Sequence, residues 1–199
     1  MISLQDTLKL NNYAVALYQS GDITQASKAF SPKSHSTTST PTVDPFVYQS
    51  LLILRESQAA SSSLPHDEMQ LMTLYCACIL FNTAILHHQE SIKTGSSACL
   101  DRAAQLYEAS IRLVGKFPTT VASFNNNTIS LLALAASNNL AQIEFQKGLL
   151  DQASTRLQVL KHLIQSLQHV VLHIFTVDEF DGMLSNSLSA EGVIASSAA

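Results

Sequence analysis

Along most of the chain, apolar residues recur at intervals of three and four, the spacing that places them on one face of a helix. The first helix is expected from about Ser3 to Ser20, stopped by Gly21, with a short partner from Asp22 that is over by Ser31-Pro32. The stretch from His66 to Lys93 reads as one long helix, apolar nearly all round through its first turns, and so as the central helix. Gly95-Ser96-Ser97 breaks it. A further helix is expected from Ala98 to Val114, with Leu100, Ala103, Ala104, Tyr107 and Ile111 on one side and Gly115 at its end. Asn127 can cap the next helix, which carries Ile129, Leu132, Ala133, Ala136, Leu140 and Ile143 towards Gly148. After Gly148, residues Ala153, Leu157, Leu160, Ile164, Leu167, Val171 and Ile174 form a seam in steps of four and three, expected to pack inside the domain, with a dimer seam as the sharper alternative. Val177 to Leu188 is a last amphipathic helix with Asp178, Glu179 and Asp181 at its start, and the tail 189–199 is expected to fray.

Two stretches break the periodicity. Residues 31–45 collect Ser, Thr and Pro with little to bury and read as a flexible insertion. The run Asp44 to Leu54 combines Pro with Phe, Val, Tyr and Ile, which favours extended chain packed on helices.

The helices also repeat. Asn11 to Ser27 aligns without a gap on Asn138 to Ser154, matching at both Asn and at the Ala, Gln, Gly, Gln, Ala and Ser positions. A more degenerate middle unit leads with Phe81-Asn82-Thr83-Ala84 and trails with Ala103 to Ile111. The small residues Ala14, Ala84 and Ala141, the turns Gly21-Asp22 and Gly148, and the trailing Ala26, Phe30, Ala153 and Leu157 resemble a tetratricopeptide repeat (TPR). This resemblance implies an all-α fold: a short right-handed superhelix of about three antiparallel helical hairpins with a C-terminal capping helix, forming one domain over 1–188.

The resemblance also implies a working surface. Asn12, Asn82 and Asn139 share one register position, two residues before the small Ala, which in the family faces a concave groove. Their amides, with Lys9 nearby, are expected to hydrogen-bond the backbone of a bound peptide. A clamp for chaperone C-termini is not implied, because Leu8, Ala135 and Asn139 stand where that clamp places basic residues. The expected function is a protein-interaction module or adaptor that binds a peptide or partner helix. The alternative is a self-associating assembly protein, a homodimer joined through Leu157, Leu160, Ile164 and Leu167.

Charge and candidate chemistry narrow the partner to protein. Eleven Lys and Arg against 15 Asp and Glu, unclustered, argue against nucleic acid and against an anionic membrane surface. Leu71 to Leu86 is apolar but shorter than the roughly 20 residues a membrane span needs. Met1 to Asp6 lacks the basic start and apolar core of a signal peptide, and three Cys without pairing spacing suit a reducing, cytoplasmic setting. No phosphate loop, nucleophile elbow or carboxylate dyad occurs, so no catalysis and no cofactor are expected. His169 and His173 lie one turn apart, and His87, His88 and His162 complete the candidates. Without a carboxylate or Cys at a matching offset they are read as solvated histidines on a helix face, with no metal site.

Overall fold

The computed structural model describes residues 4–20, 47–52, 65–117, 126–166 and 175–197. Among them every regular element is an α-helix: α1 (Leu4–Gln19), α2 (Pro65–Thr94), α3 (Ser97–Val114), α4 (Asn126–Gln146), α5 (Leu150–Ser166) and α6 (Val177–Ser197). The expected all-α class is observed. Gly21, Ala26, Phe30, the insertion 31–45 and the seam beyond Ser166 lie outside the described residues. By contact the chain divides into two compact units, one of residues 1–40 and 50–117, the other of 41–49 and 118–199.

In the first unit, α2 is the core element. Proline suits its first position, since its fixed φ fits a helix and no N–H is needed there. Leu74, Tyr75, Ala77, Cys78, Phe81, Ala84, Ile85 and Leu86 are all buried, as the nearly continuous apolar run requires. Each large side chain among them contributes about 2 kcal/mol of hydrophobic stabilisation. The helix ends at Gly95, whose φ of 67° is left-handed and whose N–H reaches Ser91 O at 2.8 Å. Two residues later α3 begins, with the Ser96 hydroxyl accepting the Cys99 N–H at 3.3 Å as N-cap. Helix α3 packs along α2 through its small and aromatic positions. Ala103 and Tyr107 are fully buried, the rings of Phe81 and Tyr107 lie 5.8 Å apart, and Ser110 Oγ donates to Ala77 O at 2.9 Å. Helix α1 also packs on α2.

The apolar stretch of α2 is longer than the Leu71 to Leu86 run that the sequence suggested. Met69–Thr94, 26 residues with a mean hydropathy of 1.6 over its most apolar window, is long and apolar enough to cross a membrane. A core helix of a soluble protein passes the same test, and 56% of that window is buried inside the protein.

In the second unit, α4 is buried at every position from Leu134 to Glu144. It closes at Gly148 (φ 74°) in a Schellman ending: Gly148 N–H bonds Phe145 O at 3.0 Å and Leu149 N–H bonds Glu144 O at 2.9 Å. Helix α5 packs on α4 and α6, burying Ala153, Leu157, Leu160 and Ile164. Across the α4–α5 connection, Arg156 grips the nearly buried Glu144 carboxylate through Nε and Nη2, at 2.7 to 3.0 Å. Thr176 and Glu179 form a capping box for α6. The Thr176 hydroxyl accepts the Glu179 N–H at 3.3 Å and the Glu179 carboxylate accepts the Thr176 N–H at 3.0 Å. Helix α6 continues to Ser197 instead of stopping near Leu188. No Pro interrupts the stretch, and Ala190, Glu191 and Ala195 favour helix against the cost of Gly192.

Candidate functional site

Residues 47–52 run outside any helix, and each unit takes hold of one residue of this stretch. In the second unit Asn139 Oδ1 accepts the Tyr48 N–H at 2.8 Å, and Asn139 Nδ2 donates to Tyr48 O at 2.8 Å. In the first unit Asn82 Oδ1 accepts the Leu52 N–H at 2.9 Å, and its Nδ2 donates to Leu52 O at 2.9 Å. The N–H and C=O of a single residue face the same side only when that residue is extended, as in a strand. One carboxamide therefore satisfies both backbone groups of one extended residue, using no property of its side chain.

Both amides are fully buried and held from behind by other amides. Asn82 Nδ2 also donates to Asn11 Oδ1 at 2.9 Å, and Asn11 Nδ2 donates to Leu52 O and to Asn12 Oδ1, both at 3.2 Å. In the second unit Asn138 Nδ2 donates to Asn139 Oδ1 at 3.1 Å, and Asn138 Oδ1 accepts from Asn186 Nδ2 at 2.8 Å. The aligned pairs Asn11-Asn12 and Asn138-Asn139 thus carry the same neighbour-to-neighbour bond. Behind each pair the small register positions Ala14, Ala84 and Ala141 are all 0% exposed.

Of the sequence candidates, Asn82 and Asn139 contact the peptide backbone, and their occupant is the chain's own residues 47–52. In the first unit the residue that joins Asn82 on Leu52 is Asn11, whereas Asn12 is half-buried and accepts from Asn11. Lys9 is exposed on α1. Asn11, Asn138 and Asn186 complete the network, and the repeated Asn-Asn dipeptide was the sequence signal for the first two. Leu157, Leu160 and Ile164 are buried, so a seam between chains would have to expose them first. Leu167, His169 and His173 lie outside the described residues.

Around the Tyr48 grip, Val47 and Tyr48 are buried, and the Tyr48 ring meets Phe175 edge-on with centroids 5.7 Å apart. Gln49 and Ser50 are exposed. Elsewhere, His88 is fully buried against Tyr107, ring centroids 6.0 Å apart, and neither ring nitrogen has a partner among the described residues. Burial pushes its pKa down to about 4, and burial also lowers that of His87, with a smaller contribution from Arg102. Burial raises the Cys78 thiol to about 12, while Cys76 on the same helix is exposed. No group of three His, Cys, Asp or Glu side chains among the described residues is placed to hold a metal. No protein-family model, curated protein or solved structure matches this chain.

Proposed function

We propose that this protein is a non-catalytic interaction module, a TPR-like adaptor that binds an extended peptide of a partner protein by reading its backbone. The observation that carries this reading is the pair of carboxamide grips, Asn82 on Leu52 and Asn139 on Tyr48. A side chain that bonds both the N–H and the C=O of one residue discriminates an extended chain from a helix and makes little demand on sequence. The α2–α3 and α4–α5 pairs suit helical hairpins of such an array. They are joined by the short connections 95–96 and 147–149, each with a left-handed Gly, and such short links favour antiparallel neighbours. On this reading the leading helices α1, α2 and α4 supply the amides, and α6 caps the last apolar face.

The test is partner recovery from a lysate of the source cells by quantitative mass spectrometry. Wild type is compared with an Asn82→Ala/Asn139→Ala variant shown by circular dichroism to keep its helices. Proteins recovered with wild type and lost with the variant are the expected result. Identical recovery by both would overturn the reading.

A further inference from the structure

The amide of Asn139 is buried, yet the group it serves is not a structural element. It serves one residue of a short non-helical stretch whose next two residues, Gln49 and Ser50, are exposed. The grip is built as a receptor would be. Asn186 on α6 orients Asn138, Asn138 orients Asn139, and the Phe175 ring stands nearly perpendicular to the aromatic ring beside the gripped backbone. These contacts engage the Tyr48 backbone and its aromatic ring.

We propose that Val47-Tyr48 is a resident ligand of an aromatic-peptide site in the second unit, formed by Asn139, Phe175 and the Asn138–Asn186 pair. The site accepts in exchange an extended segment of another protein that presents an aromatic residue. This rests on the peptide-binding reading above and adds the partner's chemistry and the state of the site before the partner arrives. The tether matters for the magnitude. A covalently linked ligand acts at an effective concentration on the order of millimolar, so a free peptide with the same contacts is out-competed at micromolar levels. A partner must therefore bring contacts beyond the grip, or the resident must first be released. The first unit holds Leu52 with the same amide geometry, an independent instance of the chemistry.

The experiment uses a fluorescent peptide of residues 44–51 and the full-length chain. Tyr48→Pro removes the N–H that Asn139 accepts and releases the resident. The peptide is expected to bind Tyr48→Pro at least ~10-fold more tightly than wild type, since the tethered competitor is gone. Adding Asn139→Ala should abolish that binding, and a peptide carrying Pro in place of its Tyr should not bind. Equal affinity for wild type and Tyr48→Pro, or no binding to either, overturns the proposal. A second measurement needs no variant: hydrogen exchange at the Tyr48 amide of wild type with the peptide at millimolar concentration. Faster exchange supports displacement, and an unchanged rate overturns it. If the Asn82/Asn139 variant loses natural partners while these tests fail, peptide binding stands and the exchangeable resident falls. If partner recovery is indifferent to both Asn, the underlying reading falls instead.

Discussion

Asn139 and Tyr48 are 91 positions apart in the chain, and the side-chain amide of one closes both backbone hydrogen bonds of the other at 2.8 Å. The Asn82–Leu52 pair has the same geometry across 30 positions. Each bond replaces hydration that a buried backbone group would otherwise lose without compensation.

Removing either amide should cost stability, since Ala takes away both of its bonds to the backbone of Tyr48 or Leu52, although the Leu52 C=O keeps the Asn11 amide. Asn139→Ala and Asn82→Ala are each expected to lower the unfolding free energy by about 2 kcal/mol, and Asn12→Ala by less than about 1 kcal/mol. Urea denaturation followed by circular dichroism measures this. Equal losses for all three would show that the grips carry no special weight.

His88 should make the first unit acid-sensitive. Its folded pKa of about 4 lies below the ordinary 6.5, so the unfolded state binds the extra proton first. Stability is therefore full above pH 6.5 and falls as pH drops from 6.5 towards 4, by about 3 kcal/mol if the whole shift is realised. His88→Leu, which also removes two unpaired buried nitrogens, is expected to flatten this part of the curve. Thermal melts of both proteins from pH 4 to 7 decide it, and parallel curves would contradict the assignment.

The Arg156–Glu144 fork ties α5 to α4. Arg156→Ala leaves a nearly buried carboxylate uncompensated, and about 2 kcal/mol of stability should be lost, less than for a fully buried pair because Arg156 is partly exposed. Chemical denaturation of the variant reads this directly, and a loss within error of zero would mean water replaces the guanidinium.

Leu160 is 0% exposed within the chain. Leu160→Ala should cost about 3 kcal/mol as a cavity in the second unit, with the oligomeric state unchanged. Light scattering beside a melt separates this from a seam between copies, where the variant would dissociate without losing monomer stability.

Thiol labelling should follow burial. Cys76 is exposed and reacts in the native protein, whereas Cys78, with its thiol held protonated by burial, should react only on unfolding. Peptide mapping after a brief exposure to iodoacetamide distinguishes the two, and modification at Cys78 under native conditions would show that α2 opens locally.

Much of this was written in local pattern. The periodicity placed α2 within a residue or so of its ends, and Gly95, Ser96 and Gly148 marked real boundaries because left-handed glycines and side-chain caps are local chemistry. The repeat register singled out Asn82 and Asn139, since a helix presents equivalent offsets to equivalent faces. Asn11 was passed over because its neighbour Asn12 held the matching register position, and only packing decides which of two adjacent amides reaches the peptide. Arg156 and Glu144 gave no signal at all, because a pair on two helices has no fixed spacing. The end of α6 was set too early, as small polar residues look like tail until something holds them in a helix.

By itself, then, the sequence determined the described helices, the boundaries at Gly95, Ser96 and Gly148, the small positions on which they close, and the set of amides from which the grips are drawn. Those follow from periods of three and four and from the backbone needs of helix ends. The cap expected at Asn127 falls inside α4, and the Thr176–Glu179 cap gave no signal. Only the tertiary structure decided that residues 47–52 occupy those amides and that His88 sits in the core without a partner among the described residues. Contacts across many tens of positions are chosen by packing and by the need to satisfy every buried polar group, which no local window encodes.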